Sequence, residues 1–218
     1  MVFANHSPTA QTTRGIVRFD RVQRVAHWAT AVLFSVLLLT AIPLYFGSFF
    51  GAVLARHSVE LIHLWTGLAL PLPVIVSLIG PWGRPMRRDV RRFNYWNRDE
   101  VKWMRSLGSN GLSPDKFNPG QKLNAVFIGA SILVMLITGS ILQWFHFFSV
   151  SQREGATFVH DSFAFIIVIG IVGHIYMAIT HRGSLRSMID GNVSERWAFQ
   201  HARAWLEEMK DEDETREP

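Results

Sequence analysis

Four of the nine histidines lie inside apolar stretches, and their type and spacing define the chemistry open to the chain. His160 and His174 share the stretch Thr157 to His181, in which only Asp161 carries a formal charge. They are fourteen residues apart. At roughly 100° per residue they return to within about 40° of one direction, roughly 21 Å apart along a helix axis. One helix therefore offers two stacked imidazoles at two depths. His27 and His63 each stand near the start of another apolar stretch. Ionisable side chains inside a bilayer are costly and mark functional sites.

The elements that position these histidines are legible from the charge pattern. Asp, Glu, Lys and Arg are absent from Val25 to Ala55, from Leu61 to Gly83 and from Leu123 to Gln152. With 157–181 these make four segments long enough to cross a bilayer. The 218 residues, 49% of them hydrophobic, thus define an all-α integral membrane four-helix bundle. The expected helices are 24–46, 59–80, 121–145 and 157–181, the second kinked at Pro71 and Pro73. Residues 47–57 are expected at the interface.

Basic residues give the orientation. The connection 81–120 carries nine Lys or Arg against four acids, and the segment before Val25 carries four Arg against one Asp. The other two connections hold only Arg56 with Glu60 and Arg153 with Glu154. By the positive-inside rule both termini and 81–120 are cytoplasmic. The organisation expected is a cytoplasmic N-terminal tail over 1–20, a transmembrane domain over 21–182, and a cytoplasmic C-terminal tail over 183–218. Residues 1 to about 15 are expected to be disordered, and the last dozen to be a solvated acidic tail. A short amphipathic helix is expected over 97–107, capped by Asn97 and stopped at Gly108, with Val101, Trp103 and Met104 inward. Asn118 and Pro119 read as cap and first position of the third span. The basic excess reports topology, and no nucleic-acid partner is implied. The chain has no cysteine, which excludes disulfides, iron–sulfur clusters and thioether-linked haem on this chain.

With this orientation the histidines sort by depth. His27 and His174 fall toward the cytoplasmic side, His63 and His160 toward the outer side. A macrocycle on an imidazole needs room one turn along the same face. The residues there are Ala31, Gly67, Ala164 and Ala178, and Gly170 clears the turn before His174; His57, His146 and His181 are followed instead by Leu61, Val150 and Leu185. Haem iron accepts two neutral imidazoles in a closed electron-transfer site, so the pattern points to two haem b groups. Zinc or copper wants ligands converging on one point, not two distant pairs. The competing readings are packing or proton-relay histidines and, as a whole-protein function, a haem-free transporter or channel. Asp161 is expected to face water at the interface. Arg21 and Arg24 either pair with haem propionates or simply mark the cytoplasmic face.

The motifs FDRVQRVAHW at 19–28, IHLWTG at 62–67, FNPGQK at 117–122 and HIYMAITHRGSLRSMIDGNVSERWA at 174–198 carry a resemblance. The chain resembles, from about Arg18 to Trp205, the gamma subunits of membrane-bound formate dehydrogenases, four-helix diheme cytochromes b of the bacterial inner membrane. The resemblance implies that His27 and His174 ligate the cytoplasmic-side haem, and His63 and His160 the outer one. It also implies a quinone site at Asn118, Gly120, Gln121 and His174. Pro119 departs from the small residue expected within that motif. The implied partners are an iron–sulfur beta subunit and a molybdenum- or tungsten-containing catalytic alpha subunit, both on the outer face. This chain would pass electrons to quinone and bind no formate. The cytochrome b subunit of a nickel–iron hydrogenase, or of another periplasmic oxidoreductase, is the rival within the class; RGSLRSMIDG at 182–191 favours the formate branch.

Overall fold

Polar residues at four sites decide where the helices begin. Asp20 with Gln23, Asn97 with Glu100, Asn118 with Gln121 and Ser149 with Gln152 each form a reciprocal capping box, satisfying two otherwise orphaned helix-start N–H groups. The computed structural model describes residues 15–50, 55–106 and 115–215. The disorder expected at the N-terminus lies outside these residues apart from Gly15, and so does the stop expected at Gly108.

In chain order, β1 (Ile16–Val17) precedes α1 (Arg21–Tyr45) and the short α2 (Gly47–Phe50). Then come α3 (Arg56–Ala69), α4 (Leu72–Leu78), α5 (Arg84–Asn94) and α6 (Arg98–Arg105). The second half holds α7 (Pro119–Gln143), α8 (Val150–Thr180), α9 (Arg182–Asp190), β2 (Asn192–Val193), α10 (Glu195–His201) and α11 (Arg203–Glu214). Four segments are long and apolar enough to span: Arg21–Tyr45, Arg56–Leu78, Pro119–Gln143 and Val150–Thr180. The protein is an all-α membrane protein.

α1 begins at Arg21, where Asp20 caps it, and α8 at Val150, where Ser149 does, both earlier than expected. α7 begins at Pro119 with Asn118 as its cap, as expected, and α3 begins at Arg56 without a side-chain cap. The proline break in the second span is as expected: α3 ends at Ala69, Pro71 caps α4, and Pro73 occupies its first turn. α1 packs on α3 and α4, α7 packs on α8, and α3 meets α7. Large apolar side chains such as Val32, Leu39, Leu133, Ile137, Phe165 and Val172 cover the outside of these helices, as a lipid-facing surface requires.

Among the described residues, one end of the bundle carries α5, α6, the strands β1 and β2, and α9 to α11. β1 pairs antiparallel with β2, Ile16 opposite Val193. Gly191 turns the chain into β2 with φ 90°, and its carbonyl accepts from the N–H groups of Arg18 (2.8 Å) and Phe19 (3.0 Å). A Cβ here would lie 2.7 Å from the Phe19 carbonyl oxygen, so only glycine fits. Beneath this strand pair Asp89 is buried, taking Lys116 Nζ at 2.6 Å and Gln23 Nε2 at 2.6 Å. Burial pushes the Asp89 carboxyl up and the Lys116 ammonium down, and their mutual attraction and hydrogen bond offset part of each. Arg18 donates to the Lys116 carbonyl (2.9 Å) and stacks over Trp197, 4.6 Å from its ring centre. Burial lowers its guanidinium to about 10, against the attraction of Asp89.

The C-terminal stretch is folded where a tail was expected. Trp205 and Leu206 join Val193, Ala198 and Ala202 in a small core. α11 runs on to Glu214, and its Glu208 grips Arg92 of α5 at 2.6 Å. Acidic residues mask this helix in the sequence: Glu207, Asp211 and Asp213 do face outward, as the solvated-tail reading required, but the opposite face carries the tryptophan. In α6 the expected inward residues are also corrected. Val101 and Met104 are exposed and Trp103 is half-buried, while Glu100 is buried against Lys122 Nζ at 2.6 Å. The ion pair, not the apolar stripe, docks this helix on α7.

Candidate functional site

The four span histidines meet two by two. The rings of His27 on α1 and His174 on α8 have centroids 6.1 Å apart. Those of His63 on α3 and His160 on α8 are 6.5 Å apart. His27, His63 and His160 are half-buried, and His174 is exposed along the bundle. The small residues Ala31, Gly67, Ala164, Ala178 and Gly170 are all half-buried beside them. On α7, Gly139 also gives His160 room: a Cβ there would come within 3.4 Å of its Cε1.

This geometry suits a planar metal complex between each pair. With a metal–nitrogen bond of about 2.0–2.1 Å and about 1.1 Å from that nitrogen to the ring centre, imidazoles on opposite sides of one first-row metal place their centroids about 6.3 Å apart. The two observed separations bracket that value. The helices that carry opposed histidines are not closely packed on each other: α8 lies against α7, and α1 against α3 and α4. Among the described residues no three His, Cys, Asp or Glu side chains converge as a multi-ligand metal site.

The His63–His160 pair has further partners that the sequence does not announce. Nδ1 of His63 lies 2.9 Å from Thr40 Oγ1, and Nδ1 of His160 lies 2.9 Å from Thr138 Oγ1. Threonine is ordinary in membrane helices, so nothing in its spacing singles these two out. Among the described residues neither His27 nor His174 has a hydrogen-bond partner on its ring.

The other described histidines are elsewhere. His57 and His146 are exposed outside the pairs, His181 caps α8 through the Met177 carbonyl, and His201 stacks on Trp197. Asp161 is exposed, as expected. Arg21 is exposed, whereas Arg24 is engaged by the chain itself, donating to the Ile189 carbonyl at the end of α9.

Asn118, Gly120 and Gln121 lie together at the start of α7. The Asn118 Oδ1 accepts from the Gln121 N–H (2.9 Å), and the Gln121 Oε1 accepts from the Asn118 N–H (3.1 Å). The cap therefore consumes both amide oxygens and fixes both amide orientations. Among the described residues it leaves the two NH2 groups without a protein partner. Gly120 is exposed and Pro119 is buried beneath it. Lys122 turns the opposite way, 2% exposed, toward Glu100.

A four-span bundle holding two facing imidazole pairs is the architecture of a membrane cytochrome b. The family model described as prokaryotic cytochrome b561 matches residues 18–191, and the chain belongs to that family. More particularly, it resembles the cytochrome b subunits of formate dehydrogenases. The formate dehydrogenase cytochrome b556 subunit of Haemophilus influenzae is 28% identical over 88% of this chain and 83% of its own length. The nitrate-inducible formate dehydrogenase cytochrome b556(Fdn) subunit of Escherichia coli strain K12 is 26% identical over 89% of this chain and 92% of its own. A second subunit of the same strain, formate dehydrogenase cytochrome b556(fdo), is 26% identical over 89% and 93%.

Proposed function

We propose that this chain is the membrane subunit of a formate dehydrogenase complex in the bacterial inner membrane, carrying two b haems. His27 and His174 would hold the haem nearer the cytoplasm, and His63 and His160 would hold the outer one. The observation that carries this reading is the pairing of the four imidazoles, with ring centroids 6.1 and 6.5 Å apart. Haem, when bound, supplies a one-electron carrier at each level of the bilayer.

The chain's own residues do the rest. Neutral imidazoles bind iron without adding charge to the membrane interior. At the start of α7 the free NH2 groups of Asn118 and Gln121 donate to the oxygens of a quinone, at lower desolvation cost than a charged lysine. Gly120 lets the ring approach the backbone, and His174 completes the site. Both termini and residues 81–120 face the cytoplasm, from which protons for the quinol enter. The relatives' names, each a subunit of a formate dehydrogenase, support a multisubunit formate dehydrogenase complex, in which an iron–sulfur beta subunit and a molybdenum or tungsten alpha subunit would be the partners on the outer face. Formate is oxidised on the alpha subunit, and electrons cross the bilayer through this chain.

The test is a purified complex with its haem counted. Two b haems per chain, both reduced by formate and both reoxidised by added quinone, are expected. A preparation without a dithionite-reduced b-type spectrum would overturn the reading in favour of a haem-free membrane protein. Hydrogen-dependent but formate-independent reduction would place the chain with hydrogenase cytochromes instead.

A further inference from the structure

The two histidines of the outer pair are bound to the protein in the same way. His63 Nδ1 and His160 Nδ1 each lie 2.9 Å from a threonine hydroxyl, Thr40 on α1 and Thr138 on α7. Each hydroxyl also faces the carbonyl one turn back in its own helix. Thr40 Oγ1 is 2.8 Å from the Val36 oxygen, and Thr138 Oγ1 is 2.8 Å from the Val134 oxygen.

A hydroxyl has one proton. A carbonyl oxygen can only accept, so an oxygen–oxygen separation this short uses that proton. The hydroxyl lone pair is then what meets the imidazole, and Nδ1 must be the donor. In a neutral imidazole with its proton on Nδ1, Nε2 carries the free lone pair. Both rings are thereby held in the form that can coordinate metal through Nε2, and both are fixed in orientation. Thr138 is 7% exposed, so its bond to His160 is shielded from competing water.

We infer that Thr40 and Thr138 are positioning residues for the outer haem, fixing the Nε2-free tautomer of His63 and His160 and raising the basicity of both ligands. The inference rests on the haem reading above. It also makes the two haem sites unequal. His27 and His174 have no such partner among the described residues, so the outer iron has the more electron-rich ligands and its oxidised form is the more stabilised.

The experiment uses the intact complex with Thr40→Val and Thr138→Val, singly and together, and Thr40→Ser and Thr138→Ser as conservative controls. Haem per chain, the low-spin resonance signals and the midpoint potential of each haem are read. Loss of a partner of this kind weakens metal binding about 10–100-fold. The valine double variant should lose the outer haem at least roughly tenfold more readily than the wild type on dilution in detergent. Whatever outer haem remains should show an altered low-spin signal and a more positive potential. The inner haem should be unchanged, which reports an intact fold, and the serine variants should behave as wild type. An outer haem of unchanged signal, potential and retention in the valine variants would overturn the inference while leaving the haem reading intact. So would equal loss of both haems, or equal effects of valine and serine. Failure of the haem reading is separate: the wild-type complex would then lack two haems from the start.

Discussion

His27 and His174 stand with ring centroids 6.1 Å apart, although they come from the first and last spans, α1 and α8, which do not pack closely. Side chains reach across a gap that the backbones leave open. The same holds for His63 and His160 at the other depth.

The first prediction follows from that pairing. His27→Ala and His174→Ala should each remove the same haem, and His63→Ala and His160→Ala should each remove the other. Pyridine haemochrome counting should give one haem per chain in each variant, and the surviving low-spin signal should sort the four into two classes. Loss of one and the same signal in His27→Ala and His63→Ala would break the scheme.

The second concerns orientation. Arginine clusters in α5, at Arg84, Arg87, Arg88, Arg91 and Arg92, would hold this end of the bundle in the cytoplasm under the positive-inside rule. A phosphatase fused after Ser151 should be active in the periplasm, and one fused after Arg105 should be inactive. A periplasmic reading after Arg105 would reverse the topology and with it the assignment of inner and outer pairs.

The spans, the histidine depths and the proline break were legible in the sequence because each rests on a one-dimensional signal: absence of charge over a bilayer's thickness, position along a span, or a missing N–H. The caps Asn97 and Asn118 were legible too, whereas Asp20 and Ser149 set starts earlier than hydropathy alone suggests. What the sequence concealed depends on long-range contact. Glu100 looks like a solvated charge until Lys122 is placed beside it. The acidic end of the chain hides Trp205 and Leu206. Thr40 and Thr138 gain meaning only once α1 and α7 bring them to His63 and His160.

The third prediction tests how this end of the bundle is held. Asp89 and Lys116 form an ion pair with side chains 4% and 8% exposed. Removing one charge leaves the other buried and uncompensated, at a cost of about 3–5 kcal/mol. Replacing both removes that penalty. Lys116→Met alone should therefore lower the apparent melting temperature in detergent sharply. Lys116→Met with Asp89→Asn, which keeps an oxygen for Gln23 Nε2, should recover most of the loss. A double variant as unstable as the single one would show that the pair contributes net stability as a charged unit.

The last prediction concerns the quinone and exploits the cap on α7. Asn118 and Gln121 spend their side-chain oxygens on each other's backbone N–H groups, so leucine at either position would damage the helix start as well as any ligand contact. Asn118→Asp with Gln121→Glu separates the two roles. Asp and Glu keep the accepting oxygens, and a negative charge is favourable at a helix N-terminus. Only the two NH2 donors are lost, and carboxylate oxygens that repel a quinone carbonyl stand in their place. The double variant should assemble normally, keep both haems, and be reduced by formate at the wild-type rate. Reoxidation of the haems by limiting quinone should slow at least roughly tenfold, the scale of one interaction of about 1.4 kcal/mol. Wild-type reoxidation at limiting and saturating quinone alike would put the quinone elsewhere and leave Asn118 and Gln121 as a helix cap alone.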